Sequence, residues 1–238
     1  MTCPEPLANE VDGFGSAVGV AGPVGAQGVQ AVHEDDDLLV LAKPSGLLCV
    51  PGRGPDKQDC LSARAQQRWP GALIVHRLDQ ATSGLVLMAR NIEVQRRLSH
   101  AFAERQVNKR YQAVVQGILG SVDNTWSEID LPIAADWERR PLRVIDHTIG
   151  KPSLTRWRVL ANDPAAKTTR LELEPVTGRT HQLRVHLAAI GHAILGDSMY
   201  ADACILALAP RLLLHACNLV FTHPVSGKTM EMTWAPEF

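Results

Sequence analysis

Two short stretches gather most of the side chains that can do chemistry: His76-Arg77-Leu78-Asp79, and Thr177-Gly178-Arg179-Thr180-His181-Gln182-Leu183-Arg184. Each sets a cation beside a group able to act on a substrate. Asp79 follows apolar Leu78 and precedes small Ala81 by two positions, which predicts partial burial. A partly buried carboxylate stays ionised only if it finds a cation or several hydrogen-bond donors, and it is then available as a nucleophile or a base. The plainer role for such a residue is a loop cap or a structural ion pair, and local pattern alone does not separate the two. Metal and nucleophile signatures are missing. His181 and His186 are five residues apart, not the i, i+4 of a helical zinc pair, and no HExxH, GxSxG, P-loop or GxGxxG occurs. No metal site is predicted.

The elements that must carry these residues follow from the apolar pattern. Gly84 to Ala89 is a continuous apolar run, as expected of a strand buried on both faces, and it places His76–Asp79 at a strand mouth. Leu38–Leu41 predicts an earlier strand, ended by the turn residues Lys43-Pro44-Ser45-Gly46. A helix is expected from Lys57 to Trp69, stopped by Pro70-Gly71. A second runs from an Asn91 cap to about Arg105, with Leu98, Ala101 and Phe102 on one face. Tyr111, Ala113 and Val115 alternate with Gln112, Val114 and Gln116 up to Gly117, and Thr169–Glu174 alternates as well before Pro175. A short helix is expected over His181–Ile190 with Gly191 just past its end. Leu212–Leu214 and Leu219–Phe221 read as two last strands, followed by the turn residues 223–227. Strands outnumber helices without regular alternation, so the expected class is α+β with a mixed or mainly antiparallel sheet.

Charge is divided unevenly. Residues 1–42 hold seven acids and no Lys or Arg, which leaves 18 acids against all 24 bases in the remainder, a net of +6. Between Arg139 and Arg184 there are ten Lys/Arg against four acids, a bias that suits a polyanion. Residues 1–29 are rich in Gly, Ala, Val and Pro without period and are expected to form a flexible tail before a single domain over 30–238. No secretory or transit pattern and no membrane-length apolar run is present. Five cysteines without a CxxC pair point to reduced thiols and a cytosolic protein.

The motifs also carry a resemblance. "HRLDQATSGL" (76–85) is similar to the signature of the RluA family of RNA pseudouridine synthases. "AKPSGLLCVPG" (42–52), "NKRYQAVVQG" (108–117), "GKPSLTRW" (150–157), "TGRTHQLRVHLAAIGHAILGD" (177–197) and "RLLLHACNLVFTHPVSGK" (211–228) resemble further blocks in the family order. The likeness runs from about His33 to Phe238. Larger family members carry an S4 RNA-binding domain before the "KPSG" block. With only about 30 low-complexity residues before Glu34, that domain is expected to be absent, as in the family's short member, which "DWERRP" (136–141) also resembles. Ser153 and Gln80 depart from the usual Ala and Lys, away from the catalytic positions.

What the resemblance implies is specific. The fold would be the family's α+β sheet with a cleft along it. The reaction would turn uridine into pseudouridine: the N1–C1′ bond breaks, the base rotates and C5 bonds to C1′. This consumes no water and involves no redox change, so no cofactor is expected. Asp79 would be the essential carboxylate, attacking C1′ or taking a proton from the sugar; both routes stay open. Tyr111 would stack on the flipped uracil and relay the C5 proton, Arg184 would pair with Asp79, and Leu214 would wall the uracil pocket. Arg77 would fill the place of the flipped nucleotide. Lys109, Arg110, Arg139, Arg140 and Arg143 would meet phosphates, with His76, Thr82 and Arg179 among the RNA contacts. The implied partners are a tRNA anticodon stem-loop and a 23S rRNA stem-loop, bound by a monomer with no membrane attachment. Two other classes compete: an idle RNA-binding or RNA-folding module, and a glycoside hydrolase. The latter needs a second acid, and neither motif supplies one beside Asp79.

Overall fold

A computed structural model describes residues 29–238. The tail expected over 1–29 therefore falls outside the described residues except for Val29, which is buried in the core and whose carbonyl accepts from Arg68. The chain opens with β1 (Gln30–Glu34) and β2 (Leu38–Lys43), then α1 (Leu61–Arg68), β3 (Leu73–Ile74) and β4 (Ser83–Ala89). Next come α2 (Ile92–Ala103), β5 (Asn108–Gln116), β6 (Ser127–Asp130) and the small hairpin β7 (Ile133–Ala135)–β8 (Arg143–Ile145). Then follow β9 (Leu154–Asp163), β10 (Thr168–Pro175), α3 (Gln182–Ala189), α4 (Ala203–Ala207), β11 (Leu214–Thr222) and β12 (Thr229–Thr233).

Ten strands form one mixed sheet in the order β1-β2-β4-β11-β5-β10-β9-β6, with β3 added to β4 and β12 to β11. Every pairing in it is antiparallel except β4 with β11, which run parallel at His215–Ser83 and Ala216–Gly84. Gly84 has φ +116 and lies so near Ala216 that an added Cβ would collide with its backbone, so only glycine permits this approach. β4 is buried along its whole length, as its apolar run predicts. Leu39, Leu41, Val86 and Met88 pack under α1, whereas Leu38, Val40, Leu85 and Leu87 pack under α2. A third cluster, with Ala113, Leu171, Leu173 and Leu214, is covered by Leu183 and Leu187 of α3.

Local chemistry sets the element ends. Asn91 caps α2 by accepting from Val94 N–H (2.9 Å). Gly191 closes α3 in a double turn, with Gly191 N–H on Ala188 O (3.0 Å) and His192 N–H on Leu187 O (2.9 Å). α1 starts at Leu61 and not at Lys57, because Pro55–Lys57 forms a separate short turn and the Cys60 thiol caps the helix. The last two expected strands are one, β11, interrupted by a register shift at Cys217; β12 is the second arm of its hairpin. Cys49, Cys60 and Cys217 are buried free thiols, as expected, but Cys204 is disulfide-bonded.

Candidate active site

A cleft of about 650 Å³ opens along the sheet where β5 and β11 meet the loop before β4 and the turn before α3. It gathers His76, Arg77, Asp79, Thr82, Lys109, Tyr111, Arg179, Arg184 and Leu214, residues up to 138 positions apart in sequence. β5 contributes Lys109 and Tyr111 because alternate residues of a strand share a face. The same rule removes Arg110. It points to the opposite face, 3.5 Å from Glu172 and over the Trp126 ring, and does not line the cleft. Arg139, Arg140 and Arg143 do not line it either. They lie on the β7–β8 hairpin, with Arg139 bound to Asp136 (2.8 Å) and Arg140 stacked 3.8 Å over an exposed Trp137. The loop end of the hairpin is tied to the cleft wall, since Arg143 N–H donates to the Tyr200 hydroxyl (2.9 Å), which lies 2.7 Å from Nδ1 of the lining residue His181.

The loop that carries Asp79 is sewn to the 43–49 turn. Gly46 N–H and the Lys43 ammonium donate to Gln80 O (2.9 and 3.0 Å), Ser45 Oγ donates to Ala81 O (2.6 Å), and Leu78 N–H donates to Cys49 Sγ (3.2 Å). Lys43 is 2% exposed and also donates to Pro44 O and Leu47 O. Burial pushes its pKa down to about 8, while the nearby Cys49 and Asp79 oppose that shift. A stationary loop thus presents the Asp79 carboxylate, which is 23% exposed and accepts no hydrogen bond from the described residues. Its nearest basic atom among them is His181 Nε2, 4.0 Å from Oδ1.

The expected Arg184–Asp79 pair is not formed. Arg184 donates through Nε and Nη2 to Asp197 (2.8 and 2.5 Å), and both side chains are almost fully buried. Burial works against the Arg184 charge, but Asp197, and then the charge of Asp79, raise its pKa nevertheless. Asp197, eight residues beyond the end of α3, takes the guanidinium instead, and its carboxylate also accepts from Met199 and Tyr200 N–H (2.9 and 3.2 Å). His76 also has a structural partner. Its Nε2 accepts from Leu87 N–H (2.9 Å), its ring stacks on Phe102, and burial pushes its pKa down to about 3. Its ring is therefore neutral, and it lines the cleft. Burial first, then the charge of Asp79, raises the Tyr111 pKa, so its phenol keeps its proton.

Free cations remain around the opening. Arg77 is exposed and pairs with no acid among the described residues, and the Arg179 guanidinium bonds among them only to Pro152 O (3.4 Å). One other acidic residue is among those that line the cleft, Glu174, but its carboxylate is held by Arg156 at 3.3 Å. Lys43, Cys49, His181, Asp197 and Tyr200 belong to the site without having been singled out for it. All but Tyr200 sit inside the quoted sequence blocks, which was the available signal.

Metal binding has one candidate among the described residues, Asp35, Asp37 and His223, at the far turns of β1–β2 and β11–β12. His223 Nδ1 accepts from Val225 and Ser226 N–H (3.3 and 3.1 Å), so the ring proton sits on Nε2, the nitrogen facing Asp35. That nitrogen has no lone pair to give an ion.

Comparison with known proteins accords with this geometry. The family model for RNA pseudouridylate synthase matches residues 37–189. The chain is 45% identical over 207 residues to the dual-specificity RNA pseudouridine synthase RluA of Pasteurella multocida, covering 87% of this chain and 93% of that one. Identity to the protein of the same name from Escherichia coli K12 is 43% over the same length, with the same coverage. Among solved structures, human RNA pseudouridylate synthase domain containing 1 superposes with a TM-score of 0.75 at 30% identity, covering 92% of this chain and 87% of that one.

Proposed function

Because the chain belongs to the RNA pseudouridylate synthase family, we propose that Asp79 is the carboxylate with which it isomerises a flipped uridine in an RNA stem-loop. The observation that carries this is an Asp79 carboxylate unengaged by donors of the described residues, on a tied-down loop, facing a cleft walled by Tyr111 and Leu214. Asp79 attacks C1′ or removes a sugar proton as the N1–C1′ bond breaks. The freed uracil turns against Tyr111; once C5 has bonded to C1′ the C5 proton passes to a base, the Asp79 carboxylate or water, and the neutral phenol can relay it only by giving up its own O–H proton as it takes the new one. Confinement supplies much of the rate, because the detached base cannot leave. Arg77 enters the stack left by the flipped nucleotide, where a planar guanidinium fits as an ammonium does not. Lys109 and Arg179 meet the phosphates at the opening, and Arg139, Arg140 and Arg143 meet those farther along the stem.

The substrates are a tRNA anticodon stem-loop and a 23S rRNA stem-loop. This range is supported by the family resemblance and by relatives named for dual specificity. Release of tritium from C5-labelled uridine, with no free base appearing, is the expected signal of turnover. Asp79→Asn abolishes that release while RNA binding stays within a few-fold; measurable turnover by this variant overturns the role of Asp79. A hairpin of about 17 nucleotides, copying the anticodon arm, is expected to react nearly as fast as intact tRNA, since base flipping needs only a local stack. An inert hairpin beside a reactive tRNA would move recognition to surfaces beyond the cleft.

A further inference from the structure

His181 is the N-cap residue of α3, yet its ring makes no capping bond and its backbone sits in the left-handed region at φ 58. A non-glycine residue held there costs roughly 1 kcal/mol or more, so something other than helix capping keeps it. The ring lies in the cleft wall with its side chain 8% exposed. Nδ1 is 2.7 Å from the Tyr200 hydroxyl, and Nε2 is 4.0 Å from Asp79 Oδ1.

The hydrogen bonds decide which nitrogen carries the proton. The charged groups facing the ring are Asp79 from the catalytic loop, Arg143 from β8, Arg184 from α3 and Asp197 beyond it; Tyr200 faces it as a neutral phenol. Burial first, and then the two arginines, lowers the His181 pKa against the pull of the two carboxylates, so the ring is neutral. The Tyr200 oxygen accepts from Arg143 N–H, which leaves its own hydrogen to point at Nδ1 (2.9 and 2.7 Å). A lone pair on Nε2 would face the Asp79 carboxylate and repel it. Both neighbours therefore favour the same tautomer, with the proton on Nε2 and directed at Asp79.

We propose that His181, held in its Nε2–H form by Tyr200, is a positioning residue that donates to Asp79 Oδ1 and leaves Oδ2 to meet the ribose. The distance is about 1 Å longer than a formed N–H···O bond, and catalytic hydrogen bonds commonly tighten when substrate is bound. The proposal rests on the reading of Asp79 as the reactive carboxylate. It also explains why Arg184 is committed elsewhere. Asp197 fixes the backbone of Tyr200 and the side chain of Arg184 together, and so sets the far end of the relay.

Single-turnover rates on a uridine stem-loop, measured against pH with RNA affinity and thermal midpoint, test this. Asn tolerates the left-handed region but has no donor at the Nε2 position. His181→Asn is expected to slow the maximal rate about tenfold or more with RNA affinity within about twofold, and to move the acid limb of the rate profile to higher pH. His181→Gln, whose amide reaches farther, recovers part of the rate. Tyr200→Phe, which frees the tautomer, moves the acid limb in the same direction. An unchanged rate and pH profile in His181→Asn overturns the proposal. So does equal loss in the Asn and Gln variants that follows their thermal midpoints, because the residue would then be structural. Should Asp79→Asn itself retain turnover, it is the reading of Asp79 that fails; an inactive Asp79→Asn beside a normal His181→Asn fails the positioning role alone.

Discussion

At the scale of single residues, the buried Arg184–Asp197 pair is the sharpest departure from what the motifs imply. A guanidinium with its fork filled by Asp197 cannot also grip Asp79, though its charge still reaches it. Removing one partner of a buried pair typically costs about 3–5 kcal/mol, because the other is left uncompensated. Arg184→Met is therefore expected to lower the unfolding free energy by about that amount in a denaturant titration, and to slow turnover through displaced Tyr200 and His181. Arg184→Met with Asp197→Asn regains part of the stability, since Asn still accepts from Met199 and Tyr200 N–H while carrying no charge. A double variant no more stable than Arg184→Met would show that the charge of Asp197 is not what destabilises the single one.

At the scale of elements, His76 closes a gap in the sheet. β4 pairs with β11 only at its start and with β3 only at its end, so Leu87 N–H between them has no strand partner on that side. The imidazole takes that bond. His76→Ala should orphan the amide, at a cost of about 1–3 kcal/mol, and speed hydrogen exchange at Leu87 more than at Leu85. Exchange that rises equally along β4 would argue for general loosening. None of this is legible in the sequence, because the partner of a loop histidine depends on where a neighbouring strand stops. What is legible follows from local pattern: the buried run of β4, the Asn91 cap, the alternation of β5 and β10, and the glycine closing α3. β9 alternates too, with Thr155 and Val159 inside and Arg156 outside, but Trp157 between charged neighbours blurs the pattern. The three- and four-residue strands β6, β7 and β8 are too short to show a period. Of the site, the motifs name Asp79, Tyr111 and the cations. They do not name which carboxylate each cation takes, since Asp79 and Asp197 are equivalent until the chain is folded.

At the scale of the whole molecule, several histidines are buried neutral, and this gives stability a pH dependence. Burial pushes His76 to about 3 and His215 to about 4, and it also lowers His181 and His186. Unfolded histidine titrates near 6.5. Below that pH the unfolded chain takes up protons that the folded chain refuses, so stability is full above about pH 7 and drains as pH falls toward 4. The thermal midpoint should drop by about 5 °C or more between pH 7 and 5, and a flat profile would contradict the burial. The position of β11 has a different consequence, one of timing. This strand lies between β4 and β5, and its bond from Ser83 Oγ to Leu214 O spans 131 residues of sequence. Contacts so distant close slowly, because a long loop must be ordered before they form. A growing chain can pair β1, β2 and β4 early, and β5, β9 and β10 soon after. The edges of β4 and β5 that will hold β11 then stand open, and Leu214 has yet to join Asp79 and Tyr111. Such edges invite pairing with other chains. The cleft is completed from the C-terminal end, so a half-synthesised chain carries the HRLD motif without a pocket to use it in.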